Sequence, residues 1–216
     1  MLVIETFPVY PLGCNCTVLV DDQSREAIVI DPGGDEDKIH AVLKKHQATL
    51  KFILHTHAHF DHFLGTNALS AMFHQPEVCL HQDDHFLYTN LAMQCKAFGI
   101  PVSGKDTEIA QVSRFLQDNE ELRLGTEHTI EVMHTPGHSP GSVSYKMDTS
   151  ERQIIFSGDT LFQESIGRTD LWGGDSDLII KSIKNRILDK HDAEVVPGHG
   201  AFTTVFHEKK YNPFLK

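Results

Sequence analysis

The segment Thr56-His57-Ala58-His59-Phe60-Asp61-His62 places four side chains able to ligate a metal within six positions. Imidazole nitrogens and carboxylate oxygens suit divalent ions such as zinc. Upstream, Phe52-Ile53-Leu54 reads as a short buried strand. In the extended chain leaving it, His57 and His59 alternate and so point to the same side. Asp61 and His62 fall where the next helix begins. Adjacent residues diverge there, so this pair can reach a second ion a few ångströms away. A lone histidine is ordinarily a core or surface residue, but this density of ligand types argues against that reading.

Two ions with open positions need about six protein groups and a bridge. Three later loops offer the remainder. His138 sits in Thr135-Pro136-Gly137-His138-Ser139-Pro140-Gly141, Asp159 follows the apolar Ile154-Ile155-Phe156 in Ser157-Gly158-Asp159-Thr160, and His199 lies in Pro197-Gly198-His199-Gly200. Singly, each has an ordinary reading as a turn histidine, a turn-capping Asp or a histidine in a glycine-rich loop. Each also marks a transition from strand to loop, which is where sheet proteins expose chemistry.

The elements behind these loops follow from the apolar pattern. Strands are predicted at Leu2 to Phe7, Thr17 to Val20 and Ala27 to Ile30, the last stopped by Asp31-Pro32-Gly33-Gly34. A helix over 35–46 follows, with Ile39, Val42 and Leu43 on one stripe, and then the strand entering THAHFDH. The second half repeats the order loosely. Strands near His128 to Met133, Ser142 to Tyr145 and Gln153 to Phe156 precede a helix from Ser176 to Leu188 and a strand from Ala193 to Val196 that runs into PGHG. Between the halves, residues 82–118 mix helix and turn signals, with Gly99-Ile100-Pro101 and Ser103-Gly104 interrupting, and are placed as an excursion over the site. Two similar halves meeting at one site, in a single domain spanning 1–216, is the expectation.

Composition narrows the partners. A formal charge of -11, with no basic stripe, argues against nucleic acid. No stretch reaches membrane-spanning length, and Met1 to Gly13 lacks the basic start and long apolar run of a signal peptide. Cys14, Cys16, Cys79 and Cys95 form no disulfide framework, so a cytoplasmic setting and small buried thiols are expected. His55, His81, His85 and His134 are read as core or surface residues, and Trp172 as packing or as a wall of the mouth.

Taken together, THAHFDH, TPGHSPGS, SGDTLF and VPGHG resemble the ligand motifs of the metallo-β-lactamase superfamily and occur in its order. The flanks SGDTLFQESIGRTDLWGGD and VPGHGAFTTVFHEKKYNPFL resemble hydroxyacylglutathione hydrolases, the glyoxalase II proteins, in their short bacterial form. The resemblance spans nearly the whole chain. It implies an α/β (α+β) fold, the four-layer αββα sandwich with helices outside two facing sheets. It also implies two divalent metal ions, one on His57, His59 and His138, the other on Asp61, His62 and His199, with Asp159 shared. Zinc is the first expectation, and nitrogen and oxygen ligands without thiolate also suit iron or manganese.

The implied activity is metal-dependent hydrolysis of a small-molecule thioester such as S-lactoylglutathione or another glutathione conjugate. A hydroxide between the ions attacks, and Asp61 and Asp159 are the catalytic carboxylates. The longer glyoxalase II proteins carry a C-terminal helical extension with glutathione-binding groups. Here Asn212-Pro213-Phe214-Leu215 is followed only by Lys216, so a form without it is expected. Arg168, in Gly167-Arg168-Thr169-Asp170, falls where those relatives present a basic residue to glutathione; a salt bridge to Asp170 or Asp175 accounts for it equally well. Three enzyme alternatives share the implied fold: a glutathione persulfide dioxygenase, which needs fewer second-ion ligands, a lactonase and a phosphodiesterase. A metal-dependent binding or regulatory module is the non-enzyme alternative.

Overall fold

The computed structural model describes residues 1–73, 76–101, 108–190 and 192–216. Ser103 and Gly104, two of the interruptions named above, lie outside them.

The first half of the chain builds one six-stranded sheet. Its strands β1 (Leu2–Val9), β2 (Cys14–Asp21), β3 (Glu26–Ile30), β4 (Thr49–Leu54), β5 (Glu77–His81) and β6 (Arg114–Leu116) lie in that order. From β1 to β3 the pairing is antiparallel, and from β3 to β6 it is parallel. Parallel neighbours need crossovers. α1 (Glu36–Lys45) joins β3 to β4, α2 (Thr66–Met72) joins β4 to β5, and α3 (His85–Tyr88) with α4 (Leu91–Ala97) stands between β5 and β6.

The second half builds the other sheet from β7 (Glu121–Leu124), β8 (His128–His134), β9 (Val143–Asp148), β10 (Gln153–Gly158), β13 (Glu194–Pro197) and β14 (Thr203–Thr204), ordered β14-β13-β10-β9-β8-β7. β10 and β13 pair in parallel across a crossover that holds the small hairpin β11 (Leu161–Phe162) and β12 (Ser165–Ile166) and then α5 (Ser176–Ser182). α6 (Val205–Tyr211) closes the order.

Period-2 alternation decides which side chains meet. Leu19, Ile28, Ile30, Phe52 and Leu54 turn inward against Ile130, Val132, Tyr145, Ile154 and Phe156 of the facing sheet. The intervening Val18, Val20, Ala27, Val29 and Ile53 face outward against Ile39 and Leu43 of α1 and Leu69 of α2. On the opposite outer face Met133, Ile155 and Val195 meet Ile179, Ile183, Ile187 and Val205. Helices therefore cover both outer faces, and the layers run α-β-β-α as the resemblance implies.

The structure differs from the sequence pattern in two useful places. The helix expected from Ser176 to Leu188 is α helical only to Ser182 and continues as a π-helical turn over Ile183–Ile187. Ile179, Ile183 and Ile187 nevertheless all face the sheet, which explains why the apolar pattern reads as one helix. The excursion placed at 82–118 ends in β6, a strand on the edge of the first sheet, because its short apolar run pairs with β5. Its helical part does lean on the site: the buried Gln94 donates to the carbonyls of Ala58 (2.9 Å) and Leu87 (2.8 Å) and accepts from the Phe60 N–H (3.1 Å). Among the described residues no helix is long and apolar enough to cross a membrane.

Candidate metal centre

The seven ligand-type residues leave the sheets at one edge. β4 runs into His57, His59, Asp61 and His62; the loop from β8 to β9 carries His138; Asp159 follows β10 and His199 follows β13. Because β10 and β13 are parallel neighbours, their exits lie side by side. Two glycines permit the close approach. Gly158 has a φ of 51°, and a Cβ there would lie 2.4 Å from Thr56 Oγ1. At Gly198 a Cβ would lie 2.2 Å from Asp159 Oδ1.

His57 Nε2, His59 Nδ1 and His138 Nε2 converge, at 3.0, 2.9 and 3.2 Å from one another. Their other nitrogens indicate the tautomers. His138 Nδ1–H donates to the Arg168 carbonyl at 2.7 Å. The Thr56 hydroxyl donates to Asp31 and so accepts from His57 Nδ1–H at 3.1 Å. Two of the three facing nitrogens therefore present lone pairs, and His59 Nε2, buried with no partner, carries that ring's proton when Nδ1 does likewise. Three lone pairs meeting without a cation repel. A tetrahedral ion with metal–nitrogen bonds of about 2.0–2.1 Å has ligand edges of roughly 3.3 Å, close to this triangle. His57 and His59 are held well below the usual histidine range, by burial first and then by neighbouring imidazoles, so they are neutral as metal ligation requires.

Beside this triangle lies a second group. His62 Nδ1–H donates to Asp31 at 2.9 Å, leaving Nε2 to face His199 Nε2 at 3.3 Å and Asp61 Oδ2 at 3.7 Å. Asp61 Oδ2 is 3.1 Å from His199 Nε2. Burial opposes charge on Asp61, but His62 and His199 outweigh it and push its pKa down to about 2. Asp159 stands between the groups: Oδ1 is 3.4 Å from His62 Nε2, and Oδ2 is 3.7 Å from His138 Nε2 and 3.8 Å from His199 Nε2. Its Oδ1 is buried without a hydrogen-bond partner. A buried carboxylate oxygen left unpaired is costly unless a cation meets it. The donor set thus fits two divalent ions with one carboxylate shared.

A family model described as the metallo-beta-lactamase superfamily matches residues 9–199. The chain belongs to the metallo-β-lactamase superfamily. It is 35% identical to the hydroxyacylglutathione hydrolase GloC of Haemophilus influenzae over 98% of this chain and 97% of that one, in keeping with the glyoxalase II-like flanks. Among solved structures, the BLEG-1 B3 metallo-β-lactamase is 40% identical with a TM-score of 0.87 over 99% of both chains. TTHA1623 in a di-iron-bound form is 33% identical with a TM-score of 0.83, over 98% of this chain and 100% of that one. The chain is a metallo-hydrolase of this superfamily, and its fold is the superfamily's mixed α/β sandwich.

Two carboxylates around the superfamily's ligand loops are not visible as site residues in the sequence. Asp31, at the end of β3, accepts from the Thr56 N–H (2.7 Å) and hydroxyl (2.6 Å) and from His62 Nδ1–H (2.9 Å). It therefore orients one histidine of each group, His62 directly and His57 through Thr56. In the sequence Asp31-Pro32-Gly33-Gly34 signals only a turn; the parallel pairing of β3 with β4 is what brings it beside Thr56. Asp84 accepts from Ala58 N–H (2.9 Å), Ser139 Oγ–H (2.7 Å) and Gly141 N–H (2.6 Å), tying the His57–His59 loop to the His138 loop. Burial pushes its pKa up, against the lowering effect of Ser139 and the two backbone donors. Asp84→Ala leaves the buried Ala58 and Gly141 N–H groups unpaired, while the Ser139 hydroxyl can still turn to Ser142 (2.7 Å), and is expected to destabilise the fold by about 3 kcal/mol, read from the urea midpoint at constant m. A loss under about 0.5 kcal/mol, the level of an ordinary surface substitution, would show that the loops hold without it.

The remaining candidates sort by contact. Arg168 closes its fork on Asp170, at 2.6 and 2.7 Å, with both side chains exposed. His55 is buried in the core, donating from Nδ1 to the Cys79 carbonyl (2.9 Å) and accepting at Nε2 from Thr66 (2.8 Å). His81 and His134, far apart in sequence, stack with ring centroids 4.2 Å apart beside Asp83. His134 Nε2–H donates to the Pro140 carbonyl (3.0 Å) and His81 Nδ1 accepts from the Asp83 N–H (3.3 Å), so one nitrogen of each ring is already engaged. Cys14 is a buried thiol 3.4 Å from His62 Nδ1, and burial pushes its pKa up to about 12. Trp172 stands edge-on to His59, centroids 6.2 Å apart.

Proposed function

We propose that this chain, acting as one domain, hydrolyses a thioester such as S-lactoylglutathione, with His57, His59 and His138 holding one divalent ion, Asp61, His62 and His199 a second, and Asp159 shared. The observation that carries the reading is the placement of Asp159, its buried Oδ1 unpaired beside His62 and its Oδ2 lying between His138 of the first group and His199 of the second. The similarity to GloC along nearly the whole chain supports the thioester. Zinc is the first ion to test, and the di-iron-bound relative brings iron in beside it. The four cysteines are all unpaired and buried, which supports a cytoplasmic setting.

When bound, such ions lower the pKa of a coordinated water toward about 7 and polarise a carbonyl. The chain's own residues do the rest. Asp61, its pKa held down to about 2 by His62 and His199, is ionised at neutral pH and would accept a hydrogen bond from the attacking water, orienting it. Asp31, Thr56 and the Arg168 carbonyl fix the imidazole rings in the tautomers that face the centre. In the overall reaction water's oxygen bonds to the acyl carbon, the C–S bond breaks and the sulfur leaves as a thiolate. A thiolate is a good enough leaving group that no strong general acid is required.

The pair of Arg168 with Asp170 is exposed and screened by solvent, so a substrate carboxylate can exchange into the Arg168 fork. Arg168→Ala is expected to raise KM for S-lactoylglutathione about threefold to tenfold with kcat little changed. An unchanged KM would leave Arg168 with Asp170 alone. The function itself is tested by a panel of S-lactoylglutathione, a simple acyl thioester, a homoserine lactone, a phosphodiester, glutathione persulfide and a penicillin, with metal content measured. Thioester turnover should dominate; dominant persulfide oxidation would overturn it. The 40% identity to BLEG-1 favours β-lactam hydrolysis as the second reading.

A further inference from the structure

Beside the first histidine group the site is bordered by hydrocarbon. Trp172, the single tryptophan of the chain, stands edge-on to His59 with ring centroids 6.2 Å apart. Phe98 lies 6.3 Å beyond it in the same manner and rests on Phe60 at 5.2 Å. Phe60 belongs to a buried cluster with Phe63, Tyr88 and Leu91, so the wall is anchored in the core. At its outer end Phe98 is 38% exposed. A rigidly backed aromatic surface that opens to solvent next to the candidate metal centre gains free energy by being covered with apolar atoms. Arg168, whose carbonyl accepts from His138, has its guanidinium paired with Asp170.

We propose that the Trp172–Phe98 wall is a specificity subsite that selects substrates bearing an apolar substituent of about four carbons or more, or an aryl ring. The proposal rests on the thioesterase reading for the bond that is cleaved, but the wall can be probed without it. The substituent can belong to the acyl group or to the thiol, and two substrate series separate these sources.

Acetyl, butyryl and hexanoyl thioesters of N-acetylcysteamine vary the acyl side, and methyl, butyl and benzyl thioesters of lactate vary the thiol side. Each methylene that reaches the wall is worth about twofold to fourfold in kcat/KM. The expected result is a rise of tenfold or more along one series. Phe98→Ala should cut that rise at least threefold, whereas Tyr211→Ala, an exposed aromatic on α6, should keep it. Trp172 also reports binding directly. In the metal-loaded protein, hexanoate should shift its fluorescence to the blue at concentrations where acetate does not, and Phe98→Ala, which retains the tryptophan, should weaken that response. If no thioester is turned over, the proposed reaction falls while the fluorescence arm still decides the wall. Flat profiles in both series, with equal fluorescence responses to acetate and hexanoate, would overturn the subsite.

Discussion

Asp159→Ala is expected to lower kcat/KM for thioester hydrolysis by at least about a thousandfold, on the scale of the several kcal/mol that a metal ion contributes to a transition state. The reason is positional. Asp159 is the carboxylate within 4 Å of histidines of both groups, His62 and His199 on one side and His138 on the other, and its Oδ1 is buried with no protein partner. Removing it would take away the carboxylate that the two ions would share, leaving their mutual repulsion unrelieved, so the second ion should be lost as well. Metal analysis of the purified variant should give fewer than two ions per chain. Asp159→Asn, which keeps the shape and halves the ligating capacity, should fall between wild type and alanine. Wild-type activity with two ions in Asp159→Ala would contradict the shared role.

Asp31→Ala should act on both halves of the site without touching either ion. It deprives the Thr56 N–H, the Thr56 hydroxyl and His62 Nδ1–H of their acceptor in a fully buried setting. Loss of a carboxylate that orients ligating histidines weakens metal affinity about tenfold to a hundredfold. Loss of its buried hydrogen bonds should also cost about 3–5 kcal/mol of folding free energy. The first effect is read as the chelator concentration that halves activity, the second from the urea midpoint. Asp31→Asn offers one acceptor oxygen and should recover part of each. If chelator sensitivity were unchanged in Asp31→Ala, the link from Asp31 through Thr56 to His57 would carry no orientation.

Much of this centre is legible in sequence because its ligands are local or sit at strand ends. His57, His59, Asp61 and His62 come from one segment, and His138, Asp159 and His199 each follow an apolar run and stand among Gly and Pro. The supporting carboxylates are not legible, since Asp31 and Asp84 act across 25 and more residues on partners that only sheet pairing and helix placement bring near. β5 has a continuous buried run, Val78-Cys79-Leu80, and β6 is a three-residue edge strand, so period gives no signal for either. The seven-residue α6 is fixed by the Thr204 cap on His207 N–H and by the buried Glu208, which accepts from Thr203, the Glu164 N–H and Asn212. Those contacts are tertiary, and a helix so short has little intrinsic stability. The stacking of His81 on His134 is likewise a product of two sheets meeting.

On the proposed function seven side chains hold two ions, and hydrolysis needs both. Ion-free protein, prepared by chelation and confirmed folded, is titrated with zinc, and separately with iron(II), while the initial rate on S-lactoylglutathione is followed. The prediction is no turnover without metal and a rate that rises to a break at two ions per chain. Full rate at one ion per chain, or turnover in ion-free protein, would contradict it.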